Sequence, residues 1–285
     1  MSRWAILIGL VLLVLIVSLL TGKALGFRSV EVDAAPLPQP AQGFDFGWWD
    51  EALGRWVQDG RVDYARVLHE ADGLKRFVAT LAAFGPNATP ERFETKPERL
   101  AYYINAYNAL ALLAVVDNWP IDSVQDVHGW LDPRPGFGFF YALRLPLDGA
   151  RTNLYELEHG VIRRFADARI HAAINCASNS CPALGARAYT PSALEAQLDR
   201  ATREFCSKTP HVRIDHEAKQ IALSAIFDWY RADFEEHARS LGRPATLQGF
   251  IQAFAEPELA SELRRAEAEA YEQVFLPYDW ALNRL

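Results

Sequence analysis

Apolar residues recur every three to four positions over 48–58 and 73–84, which predicts two amphipathic helices. Over 97–118 the pattern changes. Tyr103, Tyr107, Leu110, Leu113 and Val115 cover nearly the whole circumference of one predicted helix, with Pro97 at its start and Trp119-Pro120 at its end. A helix that is apolar all round belongs in the centre of a domain. A further helix is predicted over 153–165, capped by Asn153 with Glu156 three residues on. Short apolar runs at 137–147, 169–175, 212–214 and 220–223 read as strands, the last two as a hairpin turning at His216-Glu217-Ala218. Helical periodicity returns over 191–207, 225–238, 246–254 and about 256–270. The expected fold is a helix-rich α+β single domain with a small, mainly antiparallel sheet.

The first segment is different in kind. Residues 4–20 carry no charge, with Arg3 before them and Lys23 and Arg28 after. A cleaved signal has a shorter apolar stretch, roughly 7–15 residues, followed by small residues. We therefore expect residues 1–25 to be a transmembrane anchor rather than a removed signal, and the membrane to be a partner through 4–20. The globular part would then lie outside the cytoplasm. The Pro-rich stretch within 26–43 reads as a spacer, and the globular domain runs over 44–285.

The chain has 285 residues, half of them hydrophobic, which is ample for a core. The net charge of −7 and the lack of a Lys/Arg block argue against a nucleic-acid partner. There are three cysteines, an odd number in an exported protein, so at least one thiol is free or pairs with another molecule.

Two of the three lie in Arg-Ile-His-Ala-Ala-Ile-Asn-Cys-Ala-Ser-Asn-Ser-Cys-Pro, residues 169–182. As a strand, this run puts His171, Ala173 and Asn175 on one face and delivers Cys176 to a loop. Cys176 is a candidate nucleophile, or one half of a Cys176–Cys181 disulfide. Glu158 sits within the apolar stripe of the 153–165 helix, so its carboxylate needs a partner, and His159 follows it at the edge. Asn105 and Asn108 lie on one side of the central helix, where buried amides could orient an imidazole or stitch loops to the core. His159, His171, Cys176 and Cys181 are zinc-ligand types, but no CxxC or HExxH pair supports a metal site. No cofactor is implied.

These motifs resemble the DUF547 family. Tyr-Tyr-Ile-Asn-Ala-Tyr-Asn-Ala-Leu at 102–110, Leu-Glu-His-Gly-Val-Ile-Arg at 157–163, the 169–182 stretch and Tyr-Asp-Trp-Ala-Leu-Asn at 278–283 look like its motifs, and 60–64 and 227–234 fit it too. The resemblance covers about 45–283. It implies an exported or membrane-attached bacterial protein and adds weight to Asn105, Asn108, Glu158, His159, His171, Cys176 and Cys181, without an activity.

The expected chemistry is that of a thiol hydrolase or acyltransferase acting on a peptide or amide in the cell envelope. Cys176 would attack, His159 or His171 would be the base, and Glu158 or Asn105 would orient it. Backbone N–H groups of 177–180 would form an oxyanion hole, with Asn108, Asn175, Ser178 and Cys181 around the substrate. The alternative is a non-catalytic binding or scaffold module stapled by Cys176–Cys181.

Overall fold

The computed structural model describes residues 26–285 apart from 133 and 208, together with Leu12, Leu13, Ile16, Val17 and Leu20. Apart from those five positions, the expected membrane span at 4–20 lies outside the described residues.

The body begins with β1 (Arg28–Ser29), α1 (Gly47–Trp56), β2 (Val57–Gln58), β3 (Arg61–Val62), α2 (Tyr64–His69), α3 (Ala71–Ala83) and α4 (Lys96–Asp117). Next come β4 (Leu143–Leu147), β5 (Ala150–Thr152) and α5 (Leu154–Gly160). The second half holds α6 (Leu194–Ser207), β6 (Val212–Asp215), β7 (Gln220–Ser224), α7 (Ala225–Trp229), α8 (Arg231–Ser240), α9 (Leu247–Phe254), α10 (Pro257–Ala268) and β8 (Glu272–Leu276). The result is the expected helix-rich α+β fold with little sheet.

Helix α4 is the axis of the larger core. Thr95 and Glu98 form a reciprocal capping box at its start, and every residue from Leu100 to Val115 is buried. Among the described residues it is the one helix long and apolar enough to cross a membrane, but α1, α3, α5 and β4 wrap it inside the body. A second apolar cluster gathers α6 to α10 and the β6–β7–β8 sheet around Phe205, Phe227, Phe234 and Phe250. Its sheet is mixed: β6 pairs β7 antiparallel, and β7 pairs β8 parallel. The expected sheet is mainly antiparallel. Periodicity does not predict the short β1, β2, β3 and β5, and of the strands in this sheet it does not predict β8. Its sequence, Glu-Gln-Val-Phe-Leu, lies at the sheet edge and stays half exposed.

Two expected strands are not extended. Residues 168–172 wind into a 3-10 turn, started by the Asp167 side chain accepting the Arg169 N–H. Residues 138–142 form one π-helical turn ahead of β4. Residues 138–142 carry no polar alternation that would mark a half-buried strand. Residues 168–172 do alternate, but the Asp167 cap and the contacts of Arg169 with Asp167 and of His171 with Asp233 wind them into a turn.

The segment expected as a spacer is laid along the body instead. β1 pairs in parallel with β4, and the Val30 N–H donates to the Arg144 carbonyl at 3.0 Å. Val30 is fully buried in the larger core, Val32 and Leu37 pack against it, and the Leu37 N–H donates to Thr80 Oγ1 at 2.8 Å. Pro-rich composition limits backbone freedom, but apolar residues interleaved with it give the segment a surface to bury.

Because α4 is enclosed on all sides, replacing Leu110 with Ala is expected to lower the unfolding free energy by about 2–5 kcal/mol, read from the midpoint of urea unfolding followed by circular dichroism.

Candidate active site

The two apolar clusters meet at a cavity of about 400 Å³. The larger core contributes Tyr107, Glu158, His159, His171, Cys176 and Cys181, and the smaller contributes Ile226, Trp229, Tyr230 and Tyr278. Its walls are aromatic. Tyr155 stacks between Tyr141 (4.4 Å) and His159 (4.1 Å), and Trp229 stacks on Trp280 at 5.7 Å.

The sulfurs sit on a loop built by distant residues. Asn108 Oδ1 accepts the Asn175 N–H at 2.8 Å, while its amide donates to the Ala173 carbonyl at 3.0 Å. Asn175 then donates to the Pro182 carbonyl at 2.7 Å and accepts the Ala177 N–H at 2.8 Å, closing the loop on itself. Ala177 is left-handed, with φ of 66°, a conformation that costs an L-residue of this kind about 1 kcal/mol or more. It is held there from the other side by the Asn283 N–H, which donates to the Ala177 carbonyl at 3.0 Å. The segment 278–283 also takes the Asn179 N–H on Ala281 O (2.7 Å) and the Ser180 N–H on Asp279 O (3.1 Å). The Asp59-Gly60 turn between β2 and β3 packs so closely under this loop that a Cβ at Gly60 would lie 2.5 Å from Ala183 Cβ. An Asp-Gly pair is the turn sequence for such a two-residue hairpin, a signal present at 59–60.

These bonds correct three expectations. The backbone N–H groups of Ala177, Asn179 and Ser180 are consumed inside the fold and form no oxyanion hole. Asn108 and Asn175 shape the loop and do not line the cavity. Asn105 orients no histidine: it donates to Ala101 O and Tyr189 O and accepts from Trp49 Nε1 and the Tyr189 N–H, which saturates its amide.

Cys176, Cys181 and Cys206 are all free thiols, so the disulfide staple of the scaffold alternative is not formed. Cys181 Sγ accepts the Cys176 N–H at 3.0 Å, the Tyr278 hydroxyl at 3.2 Å and the Ser178 hydroxyl at 3.7 Å. Ser178 Oγ lies 2.8 Å from Cys176 Sγ and is buried behind the pair. Burial pushes the Cys181 thiol up, but the hydrogen bonds from the Cys176 thiol, Tyr278, the Cys176 N–H and Ser178 outweigh it and bring it down to about 7. Burial and the adjoining Cys181 push Cys176 well above the usual thiol range. The thiol whose pKa falls is therefore Cys181, while that of the expected Cys176 rises. The backbone N–H adds to this asymmetry, because it points at Cys181 alone.

Opposite the sulfurs runs a polar chain. Arg163 grips Asp233 with two bonds of 2.8 and 2.9 Å, and Asp233 Oδ2 lies 2.9 Å from His171 Nε2. Burial opposes the charge on Asp233, but its bonds to His171 and Arg163 prevail and hold the carboxyl below the usual carboxylate range. His171 is fully buried against Tyr230, ring to ring at 3.9 Å, and burial lowers its pKa. A neutral His171 beside an ionised Asp233 keeps its proton on Nε2, which leaves the Nδ1 lone pair 3.9 Å from Glu158 Oε1. Burial raises Glu158 to about 7, with the Tyr230 hydroxyl working against the rise and Cys176 adding to it. Burial also lowers His159, and the Arg163 charge adds to this. Neither His159 nor His171 hydrogen-bonds a sulfur, so the Cys–His contact expected of a papain-like pair is not made. Among the described residues, no group of three or more His, Cys, Asp or Glu side chains converges as a metal-ligand set.

Three members of the site escaped sequence reasoning: Tyr230, Asp233 and Tyr278. Asp233 and Tyr230 lie in the 227–234 motif and Tyr278 in the 278–283 motif, yet their chemistry depends on long-range packing.

Residues 90–206 match the family described as "Protein of unknown function, DUF547". No curated protein and no solved structure matches the chain. The matched stretch contains Cys176, Cys181, Glu158, His159 and His171, whereas Tyr230, Asp233 and Tyr278 come from beyond it.

Alkylation by iodoacetamide, mapped by mass spectrometry without reductant, is expected to label Cys181 with a midpoint near pH 7, against about 8.5 for a free thiol. Tyr278→Phe removes one donor to the sulfur and is expected to move that midpoint upward. Cys206, buried with burial raising its pKa, is expected to stay unlabelled until the protein unfolds.

Proposed function

We propose that this protein is a thiol-dependent acyl-transfer enzyme, a hydrolase or acyltransferase acting on amide or ester bonds, held at a membrane by residues 4–20 with its body outside the cytoplasm. The observation that carries the reading is the environment of Cys181: a thiolate stabilised by three donors, in the wall of a cavity shared with a carboxyl that is half protonated near neutral pH.

In this reading Cys181 attacks the substrate carbonyl, forming a C–S bond and an oxyanion. As the sulfur charge is spent in that bond, the Tyr278 hydroxyl is released from it and becomes a donor to the oxyanion. Neutral Glu158 gives its proton to the leaving amine or alcohol as the tetrahedral adduct collapses. The carboxylate so formed takes a proton from the water or acceptor alcohol that attacks the acyl-enzyme, and the cycle closes with Cys181 as thiolate and Glu158 neutral. His171, fixed by Asp233 and Arg163, is a positioning residue: its Nδ1 lone pair favours the protonated form of Glu158. A free pair of thiols supports this reading over the scaffold alternative, which needs a bridge.

A panel of fluorogenic amide, ester and thioester substrates tests the proposal. Cys181→Ser is expected to abolish turnover, and Glu158→Gln to lower kcat by about 10²–10⁴-fold. The decline of rate at high pH should follow Glu158, with a midpoint near 7. Turnover by Cys181→Ser equal to that of the unaltered protein would overturn the reading.

A further inference from the structure

The point where the chain enters the body is next to the cavity mouth. Gly26 lies against Gly129, so closely that a Cβ there would sit 3.0 Å from the Gly129 nitrogen. Phe27 meets the Phe137 ring edge-on at 5.7 Å. Between these two contacts runs the loop 128–137. At its outer end Trp130 is 78% exposed and Leu131 49% exposed, and Phe27 beside the loop is 46% exposed. At its inner end Arg134 and Pro135 line the cavity, the Arg134 guanidinium lying 4.4 Å over the Tyr141 ring. The one acid in the loop, Asp132, has both carboxylate oxygens buried.

Three large apolar side chains left in water on and beside one loop mark a contact surface. The occupant follows from chain length. From Leu20 to Gly26 there are six residues, which span at most about 20 Å fully extended. Residues 28–40, which could have lifted the body away, are instead fastened along it through β1, Val30 and Leu37. Whatever holds residues 4–20 therefore has the 128–137 loop within reach. A tryptophan beside a leucine, with an arginine close by, is the residue set of a membrane–water interface.

We propose that Phe27, Trp130 and Leu131 dock onto the lipid bilayer, so that the cavity opens at the membrane surface and takes its substrate from there. This rests on the reading of residues 4–20 as a membrane anchor. A mouth at that level admits molecules carried in or on the bilayer, with Arg134 placed to meet an anionic or polar head while the aromatic walls accept an apolar part.

The test reconstitutes the full chain in phosphatidylcholine vesicles with plain or brominated acyl chains, and compares the unaltered protein with Trp130→Phe. Bromine quenches only tryptophans in the bilayer. Trp4 lies within the anchor segment, so its quenching in both proteins reports anchoring. Docking is expected to give extra quenching, with a blue-shifted emission component, that Trp130→Phe removes. Trp229→Phe, in the cavity wall, should leave that extra quenching in place. If the chain floats with the vesicles and both proteins are quenched equally, docking is overturned and the anchor stands. If the chain does not float and no quenching occurs, the anchor reading falls and the docking with it.

Discussion

The hydrogen bonds of Asn175 are the constraint from which the site follows. Its N–H, amide and carbonyl oxygen tie the central helix, the Pro182 end of the cysteine loop, the left-handed Ala177 and the distant Asn283 into one knot. Each of these bonds is buried, where a missing partner costs about 1–3 kcal/mol. Together they outweigh the strain at Ala177 and fix the turn that points Cys176 N–H at Cys181 Sγ. Against burial, the lowered Cys181 pKa is thus a product of the Cys176 thiol and the Tyr278 hydroxyl first, with the Cys176 N–H and Ser178 adding to them.

A division of labour between the two apolar clusters follows. The larger one holds the cysteine loop and the raised carboxyl, and the smaller supplies Tyr230, Asp233 and Tyr278, which adjust them. The Arg163–Asp233 pair crosses between the two. Because Asp233 is ionised, His171 has a fixed proton and a fixed vacant lone pair, and Glu158, raised to about 7, is a group on that wall that exchanges a proton near neutral pH. Packing strain in either cluster would be felt at the line where they meet.

Much of the architecture was legible in the sequence because it is written in period and caps. The all-round apolar α4, the Asn153 cap and the β6–β7 hairpin each follow from local rules. Of the two runs that failed, 138–142 lacks any polar alternation, while 168–172 alternates through Arg169 and His171 yet is turned by Asp167 and by neighbours far along the chain. The site was legible as a set of residues but not as a set of roles. Cys176, Glu158 and His171 all reach the cavity, yet the charge falls on Cys181 and the amides of Asn105, Asn108 and Asn175 are spent inside the fold. Spacing shows which residues could meet; hydrogen-bond saturation decides what they are free to do.

The pairing of residues 278–283 with the cysteine loop has a consequence for timing. Tyr278 donates to the sulfur and Asn283 secures Ala177, so the low-pKa thiol comes into being only after synthesis has passed residue 283. Until then the loop lacks both its strained turn and its phenol, and the sulfurs are ordinary thiols. The lowered thiol pKa thus arrives together with the completed fold.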